Sequence, residues 1–178
     1  IFSRYLYDIG AVRNDPFTIY VAGGRRLTSH VFPGAEIIKV DLGSATFLSS
    51  EIPVVGPQRE VINEKLELLG ETLTYCAVNV GNPHCVILNR KELHEDVLKF
   101  GPLLENHQRF PERTNVQFAH IIDRRNIRLE IWERGAGYTL ASGTSSSAVA
   151  SVARKLGLTD QSMTMHMPGG KLSVDVDS

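Results

Sequence analysis

The chain has 178 residues, of which 42% are apolar and 22% charged, values of an ordinary globular protein that exclude wholesale disorder. Lys plus Arg number 19 against 20 Asp plus Glu, and this near balance excludes a basic nucleic-acid arm. No apolar run approaches the roughly 18 residues of a membrane-spanning helix, and two cysteines, Cys76 and Cys85, are too few for a disulfide scaffold. The expectation is one domain, or two small ones, in a reducing cytoplasm.

The opening IFSRYLYDIG carries Phe2, Tyr5, Leu6 and Ile9 at helical spacing, with Gly10 as a stop. These residues are amphipathic, unlike the apolar centre of a secretory signal. The predicted helix has no cap, and the protein is expected to continue upstream of it. FTIYVA (17–22), the Gly23-Gly24 turn and RRLTSHVF (25–32) predict a hairpin, and Pro33-Gly34 ends it. EIIKVDLG (36–43) alternates as a strand. Residues 49–60, with two prolines and a glycine, predict a loop. TLTYCAVNVG (72–81) and HCVILN (84–89) predict strands divided at Asn82-Pro83.

Residues 91–107 predict a helix with Leu93, Val97, Phe100, Leu103 and Leu104 on one side, kinked or divided by Pro102. NVQFAHII (115–122) and IRLEIWE (127–133) flank the polar turn DRRN and predict the clearest hairpin. Residues 144–156 predict a helix capped by Ser142 or Thr144 and ended by Arg154, Lys155 and Gly157. MTMHM, PGG and KLSVDV predict a last hairpin. The helix at 144–156 is lined with Ala148, Val149, Ala150, Val152 and Ala153, so it should be buried on most sides. With antiparallel strands around it and no sustained β-α-β alternation, a sheet wrapped around a central helix fits better than a doubly wound sheet.

Three segments carry candidate chemistry. In VGNPHCV (80–86), Asn82 offers donor and acceptor together, and His84 can exchange protons near neutral pH; a structural turn with a hydrogen-bonded histidine explains the segment equally. In WERGAGYTLASGTSSSA (132–148), Glu133 and Arg134 enter a glycine-rich turn, and a second turn through Ser142 and Gly143 starts the buried helix. The first amides of a helix lack backbone partners and sit at its positive end, which makes an anion site; the plain alternative is a Ser/Thr cap. In RFPERTNVQF (109–118), Asn115 opens a strand and either binds a ligand or closes a turn. Neither a GxxxxGK[ST] loop nor an HExxH helix is present, and Cys76, His84 and Cys85 do not make a closed zinc set.

Together VDLG (40–43), GNPHCV (81–86), FGP (100–102), FPERTNVQF (110–118), ERGAGYTLASGT (133–144) and MPGGKLSV (167–174) resemble the diaminopimelate epimerase family and its superfamily of cofactor-independent amino-acid epimerases and racemases. The resemblance runs over nearly the whole chain. It implies an α+β fold of two pseudosymmetric lobes, each a sheet wrapped around a central helix, with the first lobe mostly upstream. Residues 1–32 and 171–178 are expected to be a remnant of the first lobe and 33–170 the second. It implies an amino-acid epimerase that inverts an α-carbon without metal or pyridoxal phosphate, using one cysteine from each lobe. Asn82 and Asn115 match substrate-binding asparagines, and His84 and Glu133 match residues assisting proton transfer. Arg134 matches the partner of a substrate carboxylate, and Gly143 and Thr144 match the helix-start backbone. The expected partners are a small amino-acid substrate and the missing first lobe, with a homodimer as an admissible assembly, and no nucleic acid or membrane.

Two departures stand out. Ser142 occupies the place of the second-lobe catalytic cysteine, and Tyr138 stands where the family has glutamate in ERGAGET. A serine hydroxyl is a far weaker acid than a thiol. The chain is therefore expected to bind its ligand but not to epimerise it efficiently. The alternatives are a one-base dehydratase of the hydroxyproline type and a non-catalytic amino-acid-binding relative. A hydrolase built on Ser142, His84 and Glu133 would lack the GxSxG elbow.

Overall fold

The computed structural model describes residues 1–13, 15–21 and 24–177. The chain divides into two units, Ile1–Ser44 and Ala45–Ser178. In the smaller unit, β1 (Phe17–Tyr20), β2 (Arg26–Val31) and β3 (Ile38–Asp41) form an antiparallel sheet in that order. The hairpin and the following strand are thus where alternation placed them, although Ala22 and Gly23 lie outside the described residues. Helix α1 (Phe2–Asp8) meets β2 through its one buried residue, Ser3, whose hydroxyl accepts from Ser29 Oγ at 2.8 Å. The apolar face expected on this helix is uncovered: Phe2, Tyr5 and Ile9 are each more than half exposed.

The larger unit holds β4 (Glu64–Leu68), β5 (Glu71–Asn79), β6 (Pro83–Leu88), α2 (Leu93–Glu105), β7 (Asn115–Asp123), β8 (Asn126–Glu133), β9 (Gly137–Thr139), α3 (Gly143–Lys155), β10 (Ser162–Met167) and β11 (Gly170–Asp175). They form one sheet in the order β11-β10-β8-β7-β6-β5-β4, with β9 added to β8. Residues 171–175 lie in β11, which pairs along its length with β10 in this sheet.

The sheet is not wholly antiparallel as the sequence suggested: β6 runs parallel to β7, and β8 parallel to β10. Parallel neighbours need a crossover long enough to hold a helix. Here α2 links β6 to β7, and α3 lies between β8 and β10. Two β-α-β crossovers are therefore present where the sequence showed no sustained alternation, because each is separated from the other by a hairpin.

The strand period of two sorts side chains onto two faces. Tyr75, Ala77, Cys85, Ile87, Val116 and Phe118 pack with Leu93, Val97, Phe100 and Leu104 of α2. Their neighbours Cys76, Val78, Val86, Ala119, Leu129 and Ile131 pack with Ala148, Val149, Val152 and Ala153 of α3. Helix α3 touches β5, β6, β7, β10 and β11, and Ala148, Val149 and Val152 are fully inaccessible, as expected of a central helix. Pro102 does not divide α2, which runs unbroken from Leu93 to Glu105. The carbonyl deprived of its partner by the proline belongs to Leu98, on the exposed side of the helix, where the loss is cheapest.

Strands β4 and β9 escaped the sequence reading. β4 turns into β5 through Leu69 and Gly70, both at positive φ (52° and 79°). Leucine in such a turn gives none of the Asn-Gly signal that marks a hairpin. β9 is only three residues long and follows a glycine turn.

Candidate active site

On β6, β7 and β8 the residues facing α3 include His84, Val86, Asn115, Gln117, Ala119, Ile131 and Glu133, following the same alternation that builds the core. The β6–β7 register sets His84 opposite Asn115, and β8 ends beside them at Glu133. Polar side chains thus collect at one end of an otherwise apolar face, beside the first turn of α3.

Ser142 is the N-cap of α3, with extended backbone (φ −152°, ψ 130°) and Oγ accepting from Ser145 N at 3.3 Å. Its Oγ also lies 3.3 Å from Thr144 Oγ1. The first intrahelical bond is Ser146 N to Ser142 O, so the amides of Gly143 and Thr144 precede the helical ladder. Gly143 is exposed, and a Cβ added there would meet nothing within 4 Å. A positive helix end with an open approach is suited to a carboxylate.

Hydrogen bonds join the remaining residues to this point. Ser145 Oγ donates to Glu133 Oε1 at 3.4 Å and accepts from Gln117 Nε2 at 3.0 Å. Asn115 is nearly buried: its Nδ2 donates to Pro83 O at 2.8 Å, and its Oδ1 accepts from Arg134 N at 3.0 Å. Arg134 Nη1 donates to Glu112 O at 3.0 Å. Asn82 Oδ1 and His84 Nε2 lie 2.9 Å apart. The β6–β7–β8 register brings His84, Asn115 and Glu133 to adjacent strand ends, and Ser145 ties Glu133 to α3.

His84 is fully buried, and burial, followed by the Arg134 charge, holds its pKa down at about 3 despite an opposing contribution from Gln117. At neutral pH it is an uncharged imidazole, fit to orient neighbours rather than to carry a proton to solvent. His84 Nδ1 and Gln117 Oε1 are both buried without a hydrogen-bond partner. The departure at Tyr138 falls on the α2 face: its hydroxyl donates to Glu130 Oε2 at 2.6 Å, its ring meets His94 edge-on, and its pKa is pushed up to about 12, mainly by desolvation. Cys76 and Cys85 are buried free thiols whose pKa values burial raises. Among the described residues no cluster of His, Cys, Asp or Glu is placed to hold a metal.

Gln117 and Ser145 were missed in the sequence. Gln117 had a signal, a polar residue in phase with the buried face of a strand. Ser145 was hidden in a run of four Ser/Thr residues.

The fold matches those of solved amino-acid epimerases and racemases. A hydroxyproline epimerase from Agrobacterium vitis superposes with a TM-score of 0.71 at 10% identity, over 99% of this chain and 56% of that one. A probable proline racemase from Agrobacterium radiobacter superposes with a TM-score of 0.68 at 13% identity, over 97% and 56%. The sequence narrows this class further. The family model for diaminopimelate epimerase matches residues 76–178. Diaminopimelate epimerase 2 of Nostoc sp. is 49% identical over 99% of the chain, and the diaminopimelate epimerase of Alkaliphilus metalliredigens is 37% identical over 98%. The chain belongs to the diaminopimelate epimerase family. It spans about 60% of the length of these relatives, 61% and 62% respectively.

Proposed function

We propose that this chain is the larger part of an amino-acid epimerase of the diaminopimelate epimerase type, acting on an amino acid whose carboxylate is held at the start of α3. The observation that carries the reading is the position of Ser142. It caps a buried helix near Asn115, Glu133 and Arg134, and the resemblance to the family would put a catalytic cysteine at that position. Gly143 and Thr144 would present backbone amides to the carboxylate, and Arg134 a second positive group. Asn82 and Asn115 would shape the amino-group side, while neutral His84 and Glu133 would orient the proton path. Residues 1–32 would join an upstream first lobe that supplies the opposite acid–base group, in a soluble cytoplasmic enzyme admitting a homodimer.

Removal of an α-proton leaves negative charge that the helix amides would stabilise, most strongly where water is excluded. The base must have a pKa near the working pH. A cysteine thiol, at about 8.5 and lowered further at a helix N-terminus, meets that need; a serine hydroxyl does not. The chain with Ser142 should therefore bind substrate and invert it poorly. The same serine favours a second reading, one-base chemistry such as dehydration of a hydroxylated proline, or binding alone.

The test is Ser142→Cys in the full-length protein, with diaminopimelate and a panel of other amino acids followed by α-proton exchange in heavy water, inversion and calorimetric binding. Gain of inversion with affinity steady is expected. Inversion already at full rate with serine would sink the two-thiol reading, and loss of water from hydroxyproline would favour the dehydratase.

A further inference from the structure

Glu105 is the last residue of α2 and is 6% exposed. A carboxylate is poorly placed there on two counts. Burial removes its hydration, and the C-terminal end of a helix is negative, where cations and not anions are favoured. What surrounds it is a set of donors from the two segments that carry candidate substrate residues. Oε1 accepts from Gly135 N at 2.8 Å and Arg113 Nη1 at 3.3 Å, and Oε2 accepts from Trp132 Nε1 at 2.7 Å. Its backbone carbonyl accepts from Thr114 N at 3.3 Å.

These bonds bracket the site residues on both sides. Trp132 and Gly135 flank Glu133 and Arg134, and Thr114 immediately precedes Asn115. Arg134 N in turn donates to Asn115 Oδ1, so both segments are tied to each other and to the end of α2. The helix can come close enough only because of Gly101, one turn earlier. A Cβ at Gly101 would lie 2.8 Å from both Cβ and Cγ of Trp132, inside any real contact distance.

We propose that Glu105 is a positioning residue for the reaction of this site. It fixes the Glu133–Arg134–Gly135 turn and Asn115 in the arrangement that receives substrate. The inference rests on the functional reading above for the identity of the ligand, but not for the geometry it describes. A carboxylate suits the task because it accepts from three donors at once. A carboxamide of the same shape offers one acceptor oxygen and sets an N–H₂ against either the Trp132 indole or the Gly135 amide.

The experiment compares the full-length protein with E105Q and with L104A. Leu104 is the adjacent residue of α2, 1% exposed in the core, and its side chain is part of the apolar cluster rather than of the turn. Calorimetric binding of diaminopimelate and amide hydrogen exchange are measured on all three. We expect at least tenfold weaker binding in E105Q, with exchange at residues 134 and 135 accelerated at least tenfold relative to the β7 core amides. L104A should lower the melting temperature yet keep binding within twofold. Binding in E105Q within twofold of the parent, or an equal loss in L104A, overturns the positioning role and leaves the functional reading intact. If the parent binds no diaminopimelate, that reading of the substrate falls. The exchange data then decide the positioning role alone: selective acceleration at 134–135 in E105Q supports it, and unchanged exchange overturns it.

Discussion

The two helices on either side of the eight-stranded sheet are the same length and solve opposite packing problems. On α2 the buried positions are 93, 96, 97, 100, 101, 104 and 105, a single stripe at helical spacing, filled mostly with large side chains. On α3 nearly every position from Ser145 to Ala153 is buried, and all are Ser, Ala or Val. A helix covered on one side can fill space with bulk. A helix touched by five strands must be thin, or the strands cannot reach it. The difference also sorts their polar groups: α3 carries the Ser142 cap at its N-terminus, while the end of α2 is hydrogen-bonded to Trp132 and Gly135 through Glu105.

If this contrast is right, α2 should suffer most from truncation and α3 from enlargement. The largest effect should come from Phe100→Ala. Phe100 is fully buried and stacks on Phe118 with ring centroids 6.1 Å apart. A loss of about 3–5 kcal/mol is expected from urea denaturation of the full-length protein. A loss below about 1 kcal/mol would show that the α2 face is not a packed core.

Acid should weaken the α3 side next. His84 has its folded pKa depressed to about 3, so below its unfolded value near 6.5 the unfolded chain binds the proton and the folded chain does not. Stability from this group is undiminished above about pH 6.5 and falls as pH drops toward 3. By pH 4.5 the loss should be on the order of 2–3 kcal/mol. Denaturation at pH 7 and 4.5 for the parent and His84→Asn measures it. An identical pH dependence in both would remove His84 as the cause.

Ala148→Leu should follow. Three added heavy atoms on a fully inaccessible position of α3 should cost about 1–3 kcal/mol. The same exchange at an exposed site would be close to neutral, so a neutral result would mean that α3 has room to spare. The smallest effect expected is from Ser142→Ala. The N-cap bond to Ser145 N disappears, at about 1 kcal/mol, while the fold persists. A calorimetric melting temperature unchanged within error would show that the cap contributes nothing.

The candidate site was legible in the sequence to the extent that its residues sit at turns. Asn82, Asn115, Glu133, Arg134 and Ser142 all lie where glycine, proline or a cap interrupts a regular element, and interruptions can be seen locally. Their bracing was not legible. Glu105 reads as one more acid on an amphipathic helix until Trp132 and Gly135, about 30 residues away, are brought against it. Gln117 reads as a strand residue of the wrong polarity until Ser145 is placed opposite.

The sequence alone determined what depends on near neighbours: the β7–β8 hairpin through its polar turn, the start of α3 at Ser142 or Thr144, and the burial of α3 implied by small apolar residues all round. Only the tertiary structure decided which strands run parallel, on which face each helix lies, and which acid is buried among donors. Local signals act through torsion angles and side-chain period, which a few residues specify. Strand pairing across a crossover and the partners of a buried charge depend on segments distant in the chain, and their energies arise only once those segments meet.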